Sequence, residues 1–469
     1  MRLFLSAFFL FGPNLKLKFI IGIWRLELKG CEIMPDQKIE KNYTFFNEAM
    51  ELRNLAKKHQ EFFRNDIPLI ASENIMSPLA KEMLLTDLGS RYAEGLPHHR
   101  YYQGNFYVDE IEDKIIELSN RLFKSKQTDP RPISGTNANM AVIYGFLNPG
   151  DLIAAPDLSG GGHISAARFG AVGFRGLDIK TYPYDPDTMT VLPDEASKMI
   201  IKEKPKVCLF GQSVFLFPTP LKEMNDAFQE VGCRVWYDGA HVLGLLAGGR
   251  FQDPLREGAD VITASTHKTF PGPQHGIILG STSDENWKAV QRGVFPGTLS
   301  NHHINSMAAL GMTLVEELEF GKSYADQIIK NSKTLAEELA SLGMNVLGES
   351  RGYTESHTLV ADVTNFGGGK KVSETLESVG IILNKNLLPV DHNKNSQNPS
   401  GIRIGTQEIT RIGFKESDCK ELASLIIDSL KASDYDHIKE RVRDLKGRFN
   451  EIRYCYGREK PYEYINVFH

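Results

Sequence analysis

Residues 207–245 read VCLFGQSVFLFPTPLKEMNDAFQEVGCRVWYDGAHVLGL, and this stretch decides the fold. Val207–Phe210 is a short apolar run that ends at a glycine. Leu221, Met224 and Phe228 then recur on one helical face, and Gly232 closes that face. Arg234–Asp238 is a second hydrophobic run, ending on a carboxylate. Strand, helix and strand within roughly 30 residues is the unit of a parallel sheet, because a parallel return needs a crossover. Working outward, Val261–Thr263 and Ile277–Leu279 continue the alternation, which runs from about residue 86 to 300.

A second alternation follows, with strand-like runs at Asn345–Leu347, Thr358–Asp362, Ile381–Asn384 and Gly401–Gly405. The expected fold class is therefore α/β: a three-layer α/β/α large domain with a mostly parallel sheet, plus a smaller α+β C-terminal domain. The expected divisions are an N-terminal extension (1–33), an arm (34–85), the large domain (86–315), the small domain with a linking helix (316–435) and a helical tail (436–469). Helices are predicted over 42–64 and Ile304–Leu318. Another is predicted over 438–454, where Ile438, Val442, Leu445, Phe449 and Ile452 share one face.

Composition excludes several classes. The 469 residues can bury a large core without staples. With 54 Lys+Arg against 59 Asp+Glu, net −5, no strong field favours nucleic acid or an anionic membrane. The five cysteines (Cys31, Cys208, Cys233, Cys419 and Cys455) show no metal or disulfide spacing. They suggest a reducing, cytoplasmic setting, with Cys208 and Cys233 as small core residues. At the N-terminus, Arg2 and the apolar run Leu3–Phe11 imitate a secretory leader. That run is too short for a bilayer, which needs about 20 residues, and Pro13, Lys16 and Lys18 interrupt it. Met34 opens what reads as the start of a soluble enzyme, so residues 1–33 are expected to be a non-native or disordered extension from an upstream start, with a targeting or anchoring segment and an ordered arm as the alternatives.

Several segments carry chemistry. In TASTHKTFPGPQHG (263–276), Lys268 follows a strand among hydroxyl residues, where a lysine can form an imine with a carbonyl cofactor. Asp238 ends its strand at the carboxyl edge of the sheet, the ligand-binding edge of open α/β folds. A buried carboxylate there can keep a pyridine nitrogen protonated, and His241 lies close enough to share the site. Ser134, Gly135 and Thr136 precede a helix whose free N–H groups can cradle a phosphate. His163 follows three glycines, where an imidazole can stack on a planar ring. Arg403 sits between glycines in a short strand, suited to bidentate capture of a carboxylate. In this order, the set is the parts list of a pyridoxal-phosphate enzyme acting on an amino acid.

From about Asn42 to Leu430 the chain resembles the serine hydroxymethyltransferases, and among them the archaeal-type members. The matching blocks are LIASEN (69–74), RYAEGLPHHRYYQGN (91–105), SGTNAN (134–139), GGH (161–163), DGAHVLGL (238–245), STHKTF (265–270), VFPG (294–297), LNKN (383–386) and SGIRIGTQEITRIGF (400–414). The resemblance implies the fold-type I, aspartate-aminotransferase-like architecture and the exchange of serine plus a tetrahydropterin for glycine plus its methylene form. It implies a homodimer with shared active sites, no nucleic acid and no membrane.

Residue roles follow from the same resemblance. Lys268 would hold the cofactor, Asp238 its ring nitrogen and His163 its face, with Ser213 and His241 near the phenolic oxygen. Ser134, Gly135 and Thr136 would hold the phosphate, completed by Tyr92 and Gly297 of a neighbouring subunit. Arg403 and Ser72 would bind the substrate carboxylate. Glu94 would manage protons, Tyr101 and Tyr102 would line the site across the interface, and His267 would bear on reaction specificity. Leu158, Gly162, His163 and Asn386 fall at pterin-contact positions. The sequence departs from many bacterial members at Gly160, Phe215, GPQHG (272–276), TLSNHH (298–303) and the loop 390–399, so the pterin-side wall is altered and the one-carbon carrier is open between tetrahydrofolate and a modified pterin. A pterin-independent aldolase for threonine or allo-threonine is the alternative; it would need Lys268, Asp238 and Arg403 but not Glu94 or Asn386.

Overall fold

The structure is a computed structural model that describes residues 15–20, 23–28, 44–158, 160–391 and 397–467. The chain divides into two units, Met1–Lys58 and His59–His469. In the first, Leu15–Ile20 and Ile23–Leu28 pair as an antiparallel hairpin. The rest of the segment 1–33, including Cys31, lies outside the described residues. The helix predicted over 42–64 runs from Phe46 to Asn65.

The second unit is built on a seven-stranded sheet. Its strands in chain order are β1 (Gln127–Asp129), β2 (Leu152–Ala155), β3 (Asp178–Thr181), β4 (Val207–Phe210), β5 (Arg234–Asp238), β6 (Val261–Ser265) and β7 (Gly276–Gly280). Their spatial order is β1-β7-β6-β5-β4-β2-β3. Neighbours from β3 to β6 are parallel, and β7 alone runs against both of its neighbours. β6 and β7 are buried along their whole length, as a sheet covered on both faces requires. One apolar cluster on the sheet includes Phe210, Tyr237, Phe270 and Leu310; a second includes Trp236, Val261, Ile143 and Trp287.

The crossover between β4 and β5 is a 3₁₀ turn, Lys222–Met224, followed by the helix Asn225–Val231. Gly232 ends it in the left-handed region, at φ 68°. The helix expected over Ile304–Leu318 continues to Ser341. Its apolar face persists through Tyr324, Ile328, Leu335 and Leu339. The first two pack on the large-sheet core and the last two on a separate small core. One rod thus serves both layers. The small core covers a four-stranded antiparallel sheet in the order Asn345–Val346, Thr358–Asp362, Gly401–Gly405, Asn384–Asn386.

Three expectations are corrected here. Ile381–Asn384 is not one strand: Ile381–Ile382 pairs with Ile67–Pro68, while Asn384–Asn386 joins the small sheet. The tail helix spans Tyr435–Gly447 and stops short of 454. Phe449 and Ile452 keep their apolar contacts beyond it, Phe449 by stacking on Phe414 and Ile452 by burial as the chain pairs with Arg411. Cys208 is buried, but Cys233 is only half-buried, because it sits in the turn before β5.

Candidate active site

The carboxyl ends of β4, β5 and β6 bring Gly211, Asp238 and Ser265 to one edge of the sheet. Gly211, at φ 129°, has no room for a side chain: a Cβ there would meet the Asp238 carbonyl oxygen at 2.3 Å. This close packing fixes where Asp238 begins. Its two carboxylate oxygens accept from Ala240 N at 3.0 Å and Asn139 Nδ2 at 2.8 Å.

Lys268 lies just past β6, and its ammonium donates to Ser265 Oγ. Burial pushes its pKa down to about 8, against the pull of Asp238 and helped by Arg403. Its backbone carbonyl accepts from Asn74 Nδ2 at 2.6 Å, and Asn74 in turn bonds the Tyr324 hydroxyl. Asn74 belongs to the LIASEN block, yet only contact across the fold reveals that it anchors the lysine.

Ser134 caps the helix Gly135–Phe146, its hydroxyl accepting from Asn137 N. A Cβ on Gly135 would come within 3.0 Å of Ser265, so glycine lets this helix start abut the end of β6. Thr136 is exposed at the first turn. A positive helix end beside a half-buried lysine fits a phosphate and an aldehyde on one small molecule.

Arg403 is buried, with Nε donating to Asn384 Oδ1 at 3.0 Å and Nη1 to the Ser213 carbonyl at 2.8 Å. Burial lowers its pKa to about 10, which leaves it cationic at neutral pH. The Ser213 backbone also donates its N–H to Gly161 O. His163 accepts from Ser165 N through Nδ1, and burial lowers its pKa despite Asp238. His241 is buried and held well below its ordinary value by burial, then by Lys268 and Arg403. It stacks on His357, whose Nε2 reaches Ala71 O, next to Ser72. His267 is pushed down to about 4, chiefly by burial, and its Nδ1 is buried without a partner.

Leu158, Gly162, His163, Ser213, Asn386 and Arg403 line one cleft of about 510 Å³. This set mixes the expected amino-acid and pterin positions. A cavity of about 540 Å³ near Arg250 and Phe251 contains none of them.

Tyr92, Glu94, Tyr101, Tyr102 and Gly297 belong to a different cluster. Ser300 bridges Glu94 and the Tyr92 hydroxyl, and Tyr92 packs edge-on against Tyr102. Tyr101 leans on Phe295, and Gly297 faces Tyr144. Two unforeseen anchors hold this strip. Arg100 Nη1 donates to the carbonyls of Ala93 and Gly95, on either side of Glu94, while Asp109 and Glu112 hold the guanidinium from behind. Asn301 accepts from Ala93 N and donates to Arg91 O, so the unusual TLSNHH loop positions the strip.

A mostly parallel seven-stranded sheet with lysine, aspartate and a capped helix converging at its carboxyl edge defines the fold-type I pyridoxal-phosphate enzymes. The family model for serine hydroxymethyltransferase matches residues 46–426. A serine hydroxymethyltransferase of Thermoplasma acidophilum is 67% identical over 90% of this chain and 99% of that protein. One from Picrophilus torridus is 66% identical over 93% of this chain and 100% of its own length, and one from Methanobrevibacter smithii 47% over 89% and 98%. The chain belongs to the serine hydroxymethyltransferase family. A solved L-threonine transaldolase from Pseudomonas fluorescens superposes with a TM-score of 0.78 at 26% identity, covering 88% of this chain and 94% of that one. Among the described residues no helix is long and apolar enough to cross a membrane, and no cluster of three or more His, Cys, Asp or Glu could hold a metal.

Proposed function

We propose that the chain interconverts serine and glycine and passes the one-carbon unit to a tetrahydropterin, in the cytoplasm, as a homodimer. The convergence of Lys268, Asp238 and Arg403 on one sheet edge carries the reading. Lys268 and the Ser134–Thr136 helix start would hold pyridoxal phosphate, which would supply an electron-withdrawing ring.

The side chains divide the remaining work. The Lys268 amine, with its pKa down to about 8, has a neutral, nucleophilic fraction at neutral pH. Arg403, pinned by Asn384 and Ser213, keeps Nη2 for the substrate carboxylate and so fixes which bond stands across the ring. Asp238, receiving two N–H bonds, is arranged as the anionic partner of a ring N–H. His163 and His241, both kept neutral, can lie against the ring and its oxygen without adding charge. Glu94, bonded by Ser300, handles the proton that moves during one-carbon transfer.

The transaldolase likeness supports the pterin-independent alternative only distantly, at 26% identity against 67% for the hydroxymethyltransferase relative. Serine cleavage measured with and without a tetrahydropterin separates the two. Glycine release should depend on the pterin in the wild type, and Glu94→Gln should abolish that pterin-dependent release while sparing cofactor binding. Pterin-independent turnover of threonine as the main activity would overturn the proposal.

A further inference from the structure

Asn139, which donates to Asp238, and behind it Thr263 and Trp236 are all buried. Trp236 Nε1 donates to Thr263 Oγ1 at 2.7 Å. An indole N–H can only donate, so the threonine oxygen must accept there. The single threonine proton is therefore free to go forward, to Asn139 Oδ1 at 2.6 Å. That contact turns the amide nitrogen outward. Its two hydrogens meet Asp238 Oδ2 at 2.8 Å and Ser165 Oγ at 3.1 Å.

Each branch ends on a titratable group. On the first, Asp238 Oδ2 accepts from Asn139 and Oδ1 from Ala240 N, so neither oxygen has room for a proton on that side. On the second, Ser165 Oγ accepts from Asn139 and stands 2.7 Å from His163 Nδ1, to which its own proton can go. Ser165 N also donates to that nitrogen, which leaves the ring proton on Nε2. The reversed amide would set Asn139 Oδ1 against Asp238 Oδ2 and strand the buried threonine proton.

We propose that Trp236, Thr263 and Asn139 form a one-way hydrogen-bond relay that keeps one amide N–H aimed at Asp238 and the other at Ser165, behind His163. These are positioning residues: they act on the two groups that would bracket the cofactor ring. The inference rests on the pyridoxal-phosphate reading of the site. The charged or titratable groups that otherwise bear on Asp238 are Lys268, His163 and Tyr237.

The test is binding of pyridoxal phosphate to the full-length apoprotein, followed by visible absorbance across pH. Thr263→Val keeps the shape of the side chain and removes the hydroxyl. With Thr263 no longer fixing its amide, Asn139 is free to turn its N–H away from Asp238, and binding should weaken about tenfold at neutral pH, the worth of that one hydrogen bond to a charged group. The acid limb of binding should move to higher pH as well. Thr263→Ser should restore both affinity and limb. Asn139→Asp, matched in volume, sets a carboxylate against Asp238 and should move the acid limb the same way; it decides the matter if Thr263→Val does not fold. Wild-type affinity and pH profile in the folded Thr263→Val variant would overturn the relay, and so would a Thr263→Ser loss as large as that of valine. Failure of the wild-type chain to bind pyridoxal phosphate would instead overturn the cofactor reading.

Discussion

At the scale of single residues, the site rests on a lysine that is costly to bury. Lys268 falls from its ordinary 10.5 to about 8, chiefly through burial. A folded-state pKa below the unfolded one means that folding disfavours the charged form. The penalty is complete below about pH 8 and fades as pH rises towards 10.5. Lys268→Met should therefore abolish turnover yet stabilise the apoprotein at pH 7, by up to roughly 3 kcal/mol. Urea melts at pH 7 and pH 10 would show the gain shrinking with rising pH; an equal gain at both would contradict the linkage. Lys268, Asp238 and Arg403 were legible in the sequence because reactive residue types stood at strand ends between glycines and hydroxyls. Asn139, Asn74 and Arg100 were not, because their roles exist only through partners far along the chain: Asp238, the Lys268 carbonyl, and the carbonyls around Glu94. Ser213 was expected beside the phenolic oxygen; in the structure its carbonyl accepts from Arg403. A backbone role leaves no trace in residue type.

Among elements, the junction of the Gly135–Phe146 helix with β6 is the most sensitive. A Cβ at Gly135 would press on both the nitrogen and the Cβ of Ser265 at 3.0 Å, and Ser265 accepts from Lys268. Gly135→Ala should cost about 1–3 kcal/mol of stability through overpacking and displace the phosphate cradle relative to the lysine. Thermal melts of the apoprotein and titration with pyridoxal phosphate would register the two effects. An unchanged affinity would mean that the helix start does not hold the phosphate. The sheet itself was readable because β-branched and apolar runs alternate with helical faces at a regular interval. The tail helix was overextended because Phe449 and Ile452 keep a helical spacing while packing from non-helical backbone. The long helix was cut short because charged residues after Leu318 hide an apolar face that passes from one core to the other.

For the whole molecule, the strip around Glu94 raises the question of a second copy. Tyr101 is 71% exposed and Tyr107 72%, and Tyr102 and Phe106 are also exposed. An aromatic patch of this kind beside a buried Arg100–Glu112 pair is a surface suited to another subunit. If each site takes Lys268 from one subunit and Glu94 from its partner, mixing two inactive proteins repairs some sites. Lys268→Met and Glu94→Gln proteins, co-folded, should regain part of the wild-type pterin-dependent activity; no recovery in a verified mixed dimer would place both residues in one subunit.

The most direct measurement is hydride reduction of the active, pyridoxal-phosphate-loaded protein, followed by peptide mass spectrometry. A phosphopyridoxyl group is expected on the peptide containing Lys268 and on no other. An active protein whose Lys268 peptide returns unmodified would contradict that expectation.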